Sequence, residues 1–333
     1  MGRVSQSGAE HGRGDTEDRA YAAASMYYVQ GETMDVVARH LGVSRSTVSR
    51  LLAHARASGI VRIELERPGG ESLMVRRFRQ ELGVRLHVVP VRKGTTEIHR
   101  LKQVAVVTAE ELASAVRPGM TLGMAWGTTI SEVAAALRRH SVPGATVVQL
   151  NGASDAVGEA PFAGEVLARI GEAFGARTVA FPVPAFFDSA AVRKSMWKER
   201  PIQRVLAIAD RADVAVFGVG SLDGPLPSQV YQAEHLTAED RRVLRREGVV
   251  GDVCTVLLRG DGTYRGISLN ERATGPTPAQ LARIPRRICA VAGVAKAPAL
   301  LAALRAKAAT DLVVDDATAR AVLELVERAE HHP

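Results

Sequence analysis

From residue 86 onward, short apolar runs alternate with stretches of helical spacing, and this alternation restricts the fold more than any other feature of the chain. Runs of strand length fall at 86–91, 120–125, 146–150, 178–181, 214–219, 254–258, 288–291 and 312–314. Between many of them, segments such as 101–116, 130–139, 162–174 and 298–305 repeat apolar residues at the helical period. Parallel strands need crossover connections, so this pattern predicts a mostly parallel sheet with helices on both faces. The fold class that follows for this part is doubly wound α/β.

In open sheets of this kind, ligands lie beyond the carboxyl ends of the strands, near a switch in strand order. Five polar or glycine-bearing segments are placed to meet there: GTT at 127–129, NGAS at 151–154, GVGSLDG at 218–224, GVVGDV at 248–253 and GVAK at 293–296. The first says most. In LGMAWGTTISEVAAAL (122–137), a strand containing Gly123 reaches Trp126 and Gly127, after which Thr128 and Thr129 open a helix. A helix N-terminus leaves N–H groups unpaired and carries positive partial charge, so this turn suits a phosphate or another anion. Lys296, after the 288–291 run, is either a second phosphate contact or a surface lysine. Asp252, Asp188 and Glu165 are each a sugar-hydroxyl acceptor, a cap or a salt-bridge partner. Trp126 either offers its ring to a sugar or fills the core.

The first 67 residues follow another plan. RAYAAASMYYV (19–29) has helical spacing, Thr33 is placed to cap MDVVARHLG, and Gly42 stops that helix. Ser44 then caps RSTVSRLLAHARASG, whose Val48, Leu51 and Leu52 form an inner face. Two short helices joined through a glycine turn predict a helix-turn-helix, whose second helix enters the DNA major groove with its first residues. Arg45, Ser46, Thr47, Ser49 and Arg50 project from those opening turns, with His54 further along. Arginine pairs with guanine or neutralises phosphate, and short hydroxyl side chains permit close approach to base edges. Residues 36–63 hold five arginines (Arg39, Arg45, Arg50, Arg56 and Arg62) and no acid, the local charge expected of a DNA-contacting element. IVRIELE (60–66) alternates apolar and charged residues, as a wing strand does. The expected organisation is a disordered tail at 1–16, the DNA-binding unit at 17–67, a linker at 68–72 that breaks every periodicity, and an effector and oligomerisation unit at 73–330.

Bulk properties narrow the setting. A net charge of +7 allows a polyanionic partner without requiring one. No apolar run approaches the ~18–20 residues of a membrane span, and the N-terminus has no signal-peptide pattern, so a cytoplasmic protein with no membrane partner is expected. Cys254 and Cys289 are the only cysteines and lack a metal-ligand spacing, so neither metal nor cofactor is expected.

Taken together, the two halves resemble the SorC family of sugar-responsive bacterial transcriptional regulators over roughly residues 18–326. The resemblance runs through AASMYYVQGETMDVVARHLGVSRSTVSRLLAHARASGIVRIEL, then LGMAWGTTISEVA, PVPAFFDS, ADVAVFGVGSL, GVVGDVC, RIPRRICAVAG, KAPALLAALR and DLVVDDATARAVL. It implies a winged helix-turn-helix joined to an effector domain similar to sugar-phosphate isomerase and glucosamine-phosphate deaminase folds. It further implies a homo-oligomer, dimer or tetramer, that binds operator double-stranded DNA and a sugar phosphate or related polyol. By the same resemblance Gly127, Thr128 and Thr129 contact phosphate, and Lys296 and Asp252 occupy the family's lysine and acid positions. The chain departs from the family pattern at Gly164, Thr255 and Val294.

The rival reading is a sugar-phosphate isomerase or deaminase with an accessory small domain. Such an enzyme needs a poised acid and base, yet His87, His99, His140 and His235 are scattered outside the strand-end segments. An attached DNA reader favours a sensor.

Overall fold

The computed structural model describes residues 8–61, 72–153, 163–222, 228, 231 and 236–331. The chain divides into two compact units, Met1–Gly70 and Glu71–Pro333. In the first, α1 (Gly8–Ala24) continues as a π-helical turn, Ser25–Val29, and is followed by α2 (Met34–His40) and α3 (Arg45–Ala57). Helix α1 starts inside the segment expected as a tail. Its first buried residue among those described is Ala20, so the apolar period does not reveal where the helix begins. The caps lie where the sequence places them: Thr33 accepts from the N–H of Val36, and Ser44 from that of Thr47. Each such cap contributes about 1 kcal/mol. Gly42 takes the left-handed φ of 63° that turns the chain between α2 and α3. Ala20, Ala23, Val37, Val48, Leu51 and Leu52 close a small core. Most of the wing expected at 60–66, and the linker up to Glu71, lie outside the described residues.

The second unit opens with α4 (Leu73–Leu82), capped by Ser72, then β1 (Arg85–Val89), α5 (Glu97–Ala115), β2 (Thr121–Met124), α6 (Thr128–Ala136) and β3 (Thr146–Gln149). Next come α7 (Ala163–Phe174), β4 (Arg177–Val179), α8 (Ala190–Met196), α9 (Arg200–Ala209) and β5 (Val214–Ser221). It ends with α10 (Ala238–Arg246), β6 (Val249–Val253), β7 (Val256–Arg259), α11 (Pro278–Leu281), β8 (Arg286–Val291), α12 (Ala297–Arg305), β9 (Asp311–Asp315) and α13 (Asp316–His331). Seven strands pair in the order β1-β9-β8-β5-β2-β3-β4, every pair parallel. One face packs Leu122, Met124 and Val216 against Leu112, Ile130 and Ile170 of the helices. The opposite face packs Leu86, Phe217 and Leu312 against Phe78, Leu300 and Val322. The doubly wound α/β reading holds. Among the described residues, no helix is long and apolar enough to cross a membrane.

One strand differs from expectation. The apolar run at 254–258 is not a parallel strand: β6 pairs antiparallel with the end of β5, and β7 returns antiparallel to β6. Cys254 and Thr255 form the turn between them with φ of 50° and 71°. Hairpin turns of this hand normally announce themselves with Asn-Gly or Asp-Gly; here apolar residues run straight through, so no break is visible. GVVGDV is accordingly strand, not a strand-end loop.

The topology also fixes where a ligand would lie. From β2 the chain winds outward through β3 to β4, whereas from β5 it winds the other way through β8 to β9. Neighbouring β2 and β5 therefore flank the switch point, where the crevice of an open α/β sheet forms.

Candidate effector crevice and DNA-reading helix

At the carboxyl end of β5, three successive residues, Gly218, Val219 and Gly220, form a floor onto which the candidate side chains converge. A methyl group built on Gly218 would lie 3.4 Å from Cβ of Thr129. Lys296 donates from Nζ to the carbonyl of Val219 at 3.1 Å. Asp252 of β6 pairs with Gly220 of β5, and a methyl group there would meet Oδ1 of Asp252 at 1.8 Å. Only the Asp252 contact demands a bare backbone, at Gly220; at Gly218 a methyl group would be in ordinary contact.

Thr128 and Thr129 open α6, with Gly127 as its N-cap at φ 142°. A glycine cap brings no side-chain oxygen, so the first N–H groups of the helix stay available to an anion. Asp252 is almost fully buried, and burial raises its pKa, partly offset by the facing Tyr231 hydroxyl, the Thr255 N–H and the charge of Lys296. Its Oδ2 accepts from the Thr255 N–H at 2.9 Å, while Oδ1 has no partner among the described residues. Burial pulls the Lys296 pKa down, and Asp252 opposes that shift. The crevice thus sets the start of α6 and one lysine beside an acid whose Oδ1 lacks a donor among the described residues.

Other predicted residues fall elsewhere. Gly123 sits within β2 beneath the side chain of Leu150, where a methyl group would come within 2.7 Å, so its role is packing. Trp126 is buried in the core and donates its indole N–H to the carbonyl of Gly152, which resolves its two readings toward the core. Glu165 stands exposed in the first turn of α7, and Asp188 is exposed with its carbonyl accepting from Arg272. Neither joins the crevice groups among the described residues. The structure instead adds Tyr231, which carries no sequence signal, and singles out Asn151 of the NGAS segment. Tyr231 is buried with its hydroxyl facing Asp252, and Asn151, just past β3, is buried with its Oδ1 lacking a partner among the described residues.

In the first unit, α3 exposes Arg45, Ser46, Ser49, Arg50 and His54, with Thr47 half-buried. The Ser44 hydroxyl hydrogen-bonds those of Ser46 (2.8 Å) and Thr47 (2.9 Å), and Arg50 donates to Thr47 at 3.3 Å. Arg45 approaches Asp35 of α2 at 3.8 Å with both side chains largely exposed. A pair so exposed contributes little, so Arg45 is readily released to another anion. All six residues lie on α3, five of them exposed.

Residues 69–324 match the family described as "Putative sugar-binding domain". The solved domain of "a possible sugar-binding transcriptional regulator" from Arthrobacter aurescens TC1 is 41% identical, with a TM-score of 0.71, and covers 78% of this chain and 100% of that one. The full-length sorbitol operon regulator SorC from Klebsiella pneumoniae shares the fold at a TM-score of 0.68 and 23% identity, covering 93% of this chain and 99% of that one. The deoxyribonucleoside regulator of Bacillus subtilis (strain 168) is 29% identical over 307 residues, 90% of this chain and 96% of the relative. With a helix-turn-helix in one unit and a sugar-binding fold in the other, the chain belongs to the SorC family of sugar-binding transcriptional regulators.

Proposed function

We propose that the crevice at the end of β5 binds a phosphorylated sugar or related polyol, and that its occupancy sets the affinity of α3 for operator DNA. The observation that carries this reading is the convergence of the α6 N-terminus, Lys296 and Asp252 on Gly218–Gly220 at the switch point. The phosphate rests on the N–H groups and hydroxyls of Thr128 and Thr129, with Lys296 supplying a neutralising charge. Arg45, Ser46, Thr47 and Arg50 contact bases or adjacent phosphates, and Ser49 and His54 extend the same face. The protein works as a cytoplasmic homo-oligomer, dimer or tetramer, and senses its ligand without converting it.

Thermal shift with a panel of sugar phosphates and their unphosphorylated counterparts tests the site, and turnover assays on the same panel test the enzymatic alternative. Combining Thr128→Val with Lys296→Ala abolishes the ligand response and leaves operator affinity intact. A variant that still responds normally places the pocket elsewhere.

A further inference from the structure

We infer that Arg100 and Asp315 are positioning residues for Lys296, a buried ion pair beneath the 292–296 segment that fixes where its ammonium stands. This rests on the reading of the crevice as an anion site, and it concerns how the lysine is held rather than which ligand it meets. Asp315 ends β9 and is fully buried. Four donors converge on its carboxylate. Oδ1 accepts from Nη1 of Arg100 at 2.7 Å and from the Thr318 N–H at 3.1 Å. Oδ2 accepts from the Thr318 hydroxyl at 2.6 Å and from the Gly293 N–H at 3.0 Å. The two bonds from Thr318 are those of a helix cap at the start of α13. The other two serve no cap. They come from α5 and from the segment after β8, 215 and 22 residues away in the chain.

Gly293 ties that segment to the pair. Its N–H is held by Asp315, and its carbonyl accepts from the Lys296 N–H at 3.0 Å. A single turn of 3-10 helix, Val294–Lys296, therefore separates the anchor from the lysine. Gly293 has φ of 103°, and a methyl group there would come within 2.5 Å of Oε2 of Glu97. Arg100 meets both acids that border this glycine: it pairs with Asp315 and stands 3.6 Å from Oε1 of Glu97. Past the lysine, Ala297 enters the core with α12. The segment is thus gripped by packing at one end and by charge at the other. A buried carboxylate stays charged only where donors and a cation compensate it, so Arg100 belongs to the anchor as much as Asp315 does.

Acetylation of the full chain with acetic anhydride at fixed pH, read lysine by lysine by peptide mass spectrometry, tests this. The exposed Lys194 and Lys198 serve as internal references. Asp315→Asn leaves one acceptor oxygen for four donors and is expected to speed labelling of Lys296 about tenfold with the references unchanged. Arg100→Met, which strips the carboxylate of its cation, is expected to do the same. Arg100→Lys keeps the charge and is expected to stay within about threefold of the parent. Thr318→Val cuts the cap but spares the Gly293 bond, so it should lower the melting temperature without exposing Lys296. Where Asp315→Asn fails to fold, the two Arg100 variants decide. Unchanged rates in Asp315→Asn and Arg100→Met overturn the inference, as does Arg100→Lys labelling as fast as Arg100→Met, or equal acceleration by Thr318→Val. The crevice reading is judged separately, in the parent: inorganic phosphate or a sugar phosphate of the panel should slow labelling of Lys296. If none does, that reading falls whatever the variants show.

Discussion

Cys254 and Thr255 hold left-handed backbone angles at the tip of the β6–β7 turn, a conformation that disfavours a residue with a side chain by about 1–2 kcal/mol. Two contacts keep Thr255 there: its N–H donates to Asp252, and its Oγ1 accepts from the buried N–H of Gly275 at 3.2 Å. Thr255→Ala keeps the backbone strain and strands the Gly275 N–H, so urea titration should show a loss of about 1–3 kcal/mol. Thr255→Gly loses the same bond but relieves the strain, and should stay closer to the parent. Equal losses would mean that the turn is unstrained. On the other unit, Arg45→Ala should weaken operator binding by about 1–3 kcal/mol and relax the preference at one base position. A loss uniform across operator sequences reassigns Arg45 to phosphate. Residues of this kind were unevenly legible. Thr33, Ser44, Thr128 and Lys296 stand next to glycines or apolar periods that announce their places, as Asn151 does in NGAS, whereas Tyr231 is brought beside Asp252 only through long-range burial.

Among the elements, β1, α5, β8 and β9 share a charged knot away from the crevice. His87 lies between Glu111 (3.2 Å) and Asp311 (3.8 Å), while Arg286 reaches both carboxylates at 2.9 and 3.3 Å and Arg85 approaches Asp311 at 3.6 Å. The Asp311 carboxylate, then that of Glu111, raises the His87 pKa to about 9 against the opposing effect of burial. A raised folded-state pKa contributes stability that is complete below the unfolded value near 6.5 and is lost as pH rises through about 9. The shift corresponds to at most on the order of 3 kcal/mol. Melting temperature should therefore fall between pH 6.5 and 9, and His87→Gln should flatten that slope. A slope unchanged in the variant assigns the pH dependence to other groups. Helices and parallel strands were readable because their periods differ so plainly. The β6–β7 hairpin was not, because its turn lacks the usual turn residues and is held in part by a bond from the distant Gly275.

At the scale of the whole molecule, a metabolite site and a DNA reader on one chain imply a coupling between their binding equilibria. A coupling of ~1–3 kcal/mol changes operator affinity about 5–150-fold, and thermodynamic linkage requires the operator to change ligand affinity by the same factor. Titrating ligand with and without operator duplex checks this, and identical affinities would rule the coupling out. The division into two units was visible in the break before residue 73. The switch point was not, since strand order depends on pairings that local sequence does not encode. The bare floor of β5 has a consequence for how such a sensor changes over time. A side chain at Gly220 would collide with Asp252 and one at Gly218 would pack on Thr129, and nothing smaller than glycine exists to open more room. New ligand preferences must therefore arise through the walls, while the base stays a boundary that drift can only raise.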